Sequence, residues 1–424
     1  MNKIKLGDVL DFKRGMSVAG EFYSNEGRYV RLTLGNFTYP ECGFKFNTSK
    51  EDLYYTGTIR KEFIMKKGDI ITPLTEQVRG LLGNTATIPE DGLYIQTQDV
   101  AKVIPNETKI DKRFAYYLVS SPTVKKQLDA GSQQTKIRHT SPDKLKDCYA
   151  YLPELNTQNK IAKLLDSIKD KIETNNKINA ELESMAKTLY DYSFLQFEFP
   201  NSEGKPYKSS GGKMVWNEEL KREIPEGWCV NNLKDITTLS LGGTPTRDKK
   251  EYWGNGKFNW LNSGEVSNFP IITSEEKITR LGLENSATEY MKKGTVIISI
   301  TGNIRASILG IDSCANQSVV GISESGIYKK EYLYPAISML LNQFTKISTG
   351  NCQQHINKKI LEESKTLTPP DTILQNYYLK VEPIYNAILN NAFQNQELSS
   401  LRVFLLPLLM NGQVTFKGKS YERQ

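Results

Sequence analysis

The chain is 424 residues long, 38% hydrophobic and 24% charged, with a formal net charge of +7 from 55 Lys and Arg against 48 Asp and Glu. That length supports two to four domains with cores of their own, and the composition is that of a soluble globular protein in which no apolar run approaches the ~18 residues of a membrane span. The basic excess is mild: it permits an anionic partner without identifying one.

Residues 1–153 are rich in Gly, Thr and β-branched residues, with short apolar runs between turn signals. Asp69-Ile70-Ile71-Thr72 and Tyr94-Ile95 read as strands and Phe114 to Leu118 as the start of a helix, which predicts an α+β unit. From Leu155 through Leu189 there is neither Pro nor Gly, and apolar residues recur at helical spacing, so residues 154–195 are expected to be one long helix. Residues 196–223 are polar and rich in Gly, Ser and Pro, the composition of an extended linker. A second α+β unit is expected over 224–369, a second long helix over 370–412 and a short tail over 413–424.

The second half repeats the first in the same order. Leu6-Gly7-Asp8-Val9 returns as Leu233-Lys234-Asp235-Ile236, and Met65-Lys66-Lys67-Gly68 as Met291-Lys292-Lys293-Gly294. Phe114 returns as Tyr332, and Gly131 with Ile137 as Gly350 with Ile356. Two similar units imply a target that also has two parts.

Heptad positions beginning at Ile161 read Ile, Leu, Ile, Ile, Asn, Asn, Leu, Ala, Leu, and the matching series from Tyr377 places Asn391 and Asn395 where the first has Asn175 and Asn179. Buried asparagines in a coiled-coil seam cost stability and fix register, because each amide needs a partner across the interface. The four asparagines would meet in a parallel or an antiparallel pairing. Symmetry and the linker favour the antiparallel one, with one globular unit at each end of a rod. Residues 157–189 would make that rod roughly 50 Å long at about 1.5 Å per residue. The alternative is a helix pair buried inside one large domain.

Several phrases, taken with this tandem order, resemble the specificity (S) subunits of Type I restriction-modification enzymes. They are Leu241-Gly242-Gly243-Thr244-Pro245-Thr246, the stretch from Trp253 through Trp260 ending WLNSGEV, Ala315-Asn316-Gln317, Pro369-Pro370, the linker from Gly204 to Trp216, and the run from Leu405 to Val414. The resemblance covers nearly the whole chain. It implies two target recognition domains, each reading one half of an interrupted double-stranded DNA site. It also implies helices that serve as a ruler and dock two methyltransferase subunits, with restriction subunits joining through them. S-adenosylmethionine and ATP with Mg are then expected on those partners, and no cofactor in this chain.

Base edges in the major groove are read by Arg or Lys at guanine and by Asn or Gln at adenine, so the candidate DNA contacts are polar loop residues that correspond between the copies. The first set is Gln133, Gln134, Lys136 and Arg138, aligned with Gln353, Gln354 and His355. A second is Arg14 and Ser17, aligned with Thr244, Thr246 and Arg247; a third is Gln77 and Arg79, aligned with Asn303 and Arg305. The competing readings are polar turns, hairpin tips and salt-bridged surface arginines. Tyr190, Tyr192 and Phe194, matched by Leu406, Leu408 and Met410, exceed what one helical seam requires. They could dock a partner or pack beneath a recognition domain.

Catalytic signals are sparse. Two histidines, His139 and His355, give little support to His-based chemistry, and there is no [DNS]-P-P-[YF] element and no P-loop. Five scattered cysteines (Cys42, Cys148, Cys229, Cys314, Cys352) form no C-x-x-C pair, and the N-terminus has no apolar signal-peptide core. The expectation is a non-catalytic, cytoplasmic chain with no membrane partner. The rivals are a stand-alone methyltransferase or nuclease fragment and a coiled-coil scaffold that binds only proteins.

Overall fold

In the computed structural model, the described residues are 2–48, 51–131, 138–347 and 356–414. They form two compact units, one of Met1–Lys171 with Leu398–Gln424 and one of Ile172–Glu397.

The first unit is built on a four-stranded antiparallel sheet in the order Leu10–Arg14, Val100–Pro105, Ile70–Pro73, Ala86–Thr87. Ile70–Pro73 is buried along its whole length, so Ile70 and Ile71 are both apolar instead of alternating with an exposed polar residue. Against the sheet packs helix Lys112–Val119, started by the Asp111 carboxylate accepting from the Arg113 and Phe114 amides. Its Phe114 is fully buried beside Phe12, Val103 and Leu118. Ile161, Ala162 and Leu165 of helix Leu155–Tyr190 close this core together with Leu409 and Met410 of helix Asp371–Met410. A smaller sheet of Tyr23–Ser24, Tyr54–Tyr55, Tyr29–Arg31 and Tyr94–Ile95 covers a separate core around Leu32, Met65 and Ile88.

The second unit contains a sheet in the order Thr238–Leu241, Val319–Ser323, Val296–Ser299, Arg305–Ile308. In chain order both sheets run first, fourth, second, third. The repeated phrases sit at matching turns. Gly68 and Gly294 take φ of 82° and 94°, a left-handed conformation that a side chain would strain. The preceding Lys67 and Lys293 amides donate to Asp91 Oδ1 and Asp312 Oδ1 at 2.8 and 2.7 Å. Asp8 and Asp235 each accept from the amide three residues earlier, Lys5 at 2.9 Å and Asn232 at 3.2 Å. The tandem phrases are thus turn chemistry.

Residues 196–223 differ from an extended linker. Phe197 and Phe199 are buried, with the Phe199 ring stacked on Tyr207 at 4.7 Å and on Trp228 at 5.1 Å. Met214–Asn217 forms a hairpin with Arg222–Pro225. Alternating aromatics along the chain gave the segment an apolar face to bury, and that outweighed its Gly and Ser content. Tyr190 and Phe194 are likewise unavailable for docking a partner: they are buried in one aromatic cluster, with Phe194 4.8 Å from Tyr377 and 5.0 Å from Tyr332. Met410 is buried in the first unit's core, Leu406 and Leu408 are half-buried, and Tyr192 is exposed.

Within the second unit, the helical segments from Ile172 and up to Glu397 run antiparallel and interlock through amides. Asn175 Nδ2 donates to Asn395 Oδ1 and to Gln394 Oε1, both at 2.8 Å. Asn391 Nδ2 donates to Asn179 Oδ1 at 2.9 Å, and Asn179 Nδ2 to the Ile388 carbonyl at 3.2 Å. Asn175 and Asn179 are buried. Replacing Asn179 with Leu strands the Asn391 amide and should cost about 1–3 kcal/mol in urea unfolding. The double replacement Asn179→Leu with Asn391→Leu should recover most of that loss. Equal losses in single and double variants would show that the pair is not a coupled interaction.

Candidate nucleic-acid interface

Antiparallel register decides which loops of each unit lie together. In the first unit Arg14 pairs with Ala101 and Ala101 with Thr72, so the chain leaves the sheet after Arg14 and after Pro73 at the end where it enters at Val100. Arg14 and Ser17 from one segment, and Gln77 and Arg79 from another, therefore converge on one end, and all four are exposed. In the second unit Leu241 pairs with Val320, and Ser299 with both Val319 and Arg305. The exposed Thr244, Thr246, Arg247, Asn303 and Arg305 lie beyond that end.

Glycines hold these loops against the protein's own backbone. A Cβ on Gly15 would stand 2.3 Å from the Thr97 carbonyl oxygen, and one on Gly242 would stand 1.9 Å from that of Asn316. Gly243 N donates to the Ala315 carbonyl at 2.8 Å, and Thr244 Oγ1 to Gln317 Oε1 at 2.6 Å, so two of the phrases noted in the sequence touch. Trp260 supports them by donating from Nε1 to the Gly243 carbonyl at 3.0 Å. Asn262 and Glu265 close a capping box just behind. The same turn exposes Gln317 and, in the first unit, Gln98, two amides suited to adenine that the sequence reading passed over. Both lie between the matched phrases at Met65 and Phe114 in one copy and Met291 and Tyr332 in the other, and that was the signal available.

Charge pairing separates the candidate arginines. Arg79, with 78% of its side chain exposed, donates from Nε and Nη2 to Asp129 Oδ1 and Oδ2 at 3.2 and 2.8 Å. Arg138, only 15% exposed, reaches Asp129 Oδ1 at 2.5 Å and Glu76 Oε1 at 3.0 Å. Glu76 is buried, and its other oxygen accepts from the Gly80 and Leu82 amides at 3.0 and 2.9 Å, which shapes the loop carrying Gln77 and Arg79. Arg138, expected to read bases, is held in ion pairs with Glu76 and Asp129, and a buried carboxylate such as Glu76 demands that counter-charge. The hydrogen bond from Arg79, then that from Arg138, pulls the Asp129 carboxyl down to about 2.

In the second unit Arg247 donates from Nη1 and Nη2 to Glu276 Oε1 and Oε2 at 2.5 and 2.8 Å, with its guanidinium 3.8 Å from the Trp253 ring centroid. That bond holds the Glu276 carboxyl below its usual range. Arg14 and Arg305 have no ion-pair partner among the described residues. The loop before Arg305 is set by Ser299 Oγ, which accepts from the Arg305 amide at 3.0 Å and donates to the Asn303 carbonyl at 2.6 Å. Gln133, Gln134, Lys136, Gln353, Gln354 and His355 lie outside the described residues. Among those described, no group of His, Cys, Asp or Glu could hold a metal ion, and no helix is long and apolar enough to cross a membrane.

Comparison with known proteins follows these two repeats. The family model described as the Type I restriction modification DNA specificity domain matches residues 1–184 and again 225–399. The MjaIX specificity subunit of Methanocaldococcus jannaschii is 26% identical over 322 residues, covering 75% of this chain and 72% of its own. The HindI specificity subunit of Haemophilus influenzae is 22% identical over 408 residues, covering 82% and 87%. The crystal structure of a Type I restriction-modification S subunit from M. genitalium shares the fold, with a TM-score of 0.56 at 16% identity over 96% of each chain. With both halves matched, this chain belongs to the Type I restriction-modification DNA specificity family.

Proposed function

We propose that this chain is the DNA-recognition subunit of a Type I restriction-modification complex, in which each unit reads one half of a bipartite, asymmetric site. One observation carries this reading: two sheets of the same strand order each gather arginine, amide and hydroxyl side chains at the same end. The contact residues differ between the ends, which favours two different half-sites. The two long helices act as the ruler between them, a role supported by the amide interlock in the second unit. The chain is non-catalytic in this reading. Two methyltransferase subunits using S-adenosylmethionine would supply modification, and restriction subunits using ATP and Mg would supply cleavage. Methylation of DNA by the purified chain alone, with labelled S-adenosylmethionine, would refute that division of labour.

Two arginines separate reading from folding. Arg305→Ala should leave thermal stability unchanged while weakening DNA binding, with the slope of log affinity against log salt falling by about 0.9. Arg138→Ala should instead destabilise the first unit by about 3 kcal/mol, since Glu76 is left buried without its counter-charge. A stable Arg138→Ala protein with impaired binding would reassign that residue to the interface. Removing about a turn and a half from both long helices in register should shorten the gap in the methylated motif. An unchanged gap, read by methylome sequencing, would exclude the ruler.

A further inference from the structure

Arginine at a DNA interface does two different jobs. Its full positive charge attracts phosphates at any sequence, whereas its five N–H donors in a fixed fork recognise guanine by direction. The first job adds affinity everywhere. Only the second adds discrimination.

Arg79 and Arg247 each sit at the candidate DNA end of their sheet, largely exposed, yet each is already bound at two donors by one carboxylate. An exposed ion pair of this kind contributes little to stability, so folding alone does not account for finding it at both sites. The pairing changes what the guanidinium offers. Beside a carboxylate, its charge is cancelled at the distance of a phosphate on a neighbouring strand, because the two fields nearly sum to zero. Two of five donors are used, and a complete second edge remains. For Arg79 that edge is formed by Nη1 with the outer hydrogen of Nη2. For Arg247 it is the Nε side, on a guanidinium also stacked against Trp253. Arg14 and Arg305, without ion-pair partners among the described residues, keep the full charge that phosphates attract.

Resting on the DNA-recognition reading above, we infer that Asp129 and Glu276 are specificity-determining carboxylates. They remove phosphate attraction from Arg79 and Arg247 while aiming the free donor edge of each at a base. They touch no base themselves and act as positioning residues.

The test uses the full chain assembled with its methyltransferase subunits. Its probes are a duplex carrying the motif that the wild-type complex methylates and a scrambled duplex of equal length, titrated across a salt series. Asp129→Asn and Glu276→Gln should each raise affinity for the scrambled duplex several-fold at low salt. Each should steepen its salt dependence by about 0.9 and lower the ratio of cognate to scrambled affinity about tenfold. Adding Arg79→Ala to Asp129→Asn, or Arg247→Ala to Glu276→Gln, should abolish the gain on scrambled DNA, an outcome that structural damage would not produce. Asp129 also holds Arg138, so Glu276→Gln, which disturbs no other ion pair among those described, decides the matter if the Asp129 variant does not fold. Unchanged affinities, or equal losses on both duplexes, overturn the carboxylate role while leaving DNA recognition intact. A wild-type complex that fails to discriminate the duplexes overturns the recognition reading itself.

Discussion

Hydrogen-bond register in the two four-stranded sheets determines which residues of this chain can act together. Segments as far apart in sequence as Arg14, Gln77 and Gln98 share one end of a sheet only because Arg14 aligns with Ala101 and Ala101 with Thr72. The register is strongly specified. Ile70–Pro73 and Val296–Ser299 are buried on both faces between paired neighbours, so a slip by one residue would break the ladder on two sides and misplace every loop at the end. The turns reinforce it. Gly15 and Gly242 allow the backbone an approach that any Cβ would block, and they tie the first strand to the entry of the fourth.

On that frame the two units organise the loops at this end by different chemistry. In the first, a chain of charges runs from Arg79 through Asp129 and Arg138 to the buried Glu76, whose second oxygen holds two loop amides. In the second, the corresponding loop is held by the Ser299 hydroxyl. A hydroxyl carries no net charge, so Arg305 keeps its own. A buried carboxylate, Glu76 in the first unit, obliges a second residue to supply the counter-charge, and Arg138 is that residue. Two similar folds have thus arrived at different electrostatic surfaces at the same end of the sheet.

Much of this was legible in the sequence wherever the signal was periodic or local. The tandem phrases, the long helices and the asparagine positions follow from spacing alone. Long-range partners were not legible. Nothing near Arg79 announces Asp129, fifty residues away, and nothing near Arg138 announces the Glu76 it neutralises. A surface reader and a structural ion pair have the same letter. The stretch from Phe197 to Phe199 misled for a related reason: the linker's Gly and Ser content described its tip, while two aromatics decided where it packs.

The amide interlock limits the registers in which the two helical segments can pair. An apolar seam would tolerate many registers at similar energy, since Leu against Leu differs little from Leu against Ile. Amides tolerate few. Asn179 accepts from Asn391 and donates to the Ile388 carbonyl, and a shift of one heptad would place at least one of these groups against hydrocarbon. Even the native register leaves Asn175 Oδ1 buried without a partner among the described residues, so the interlock costs stability that a leucine pair would not. A protein selected for stability alone would not keep that arrangement. What the amides supply in place of strength is a single register.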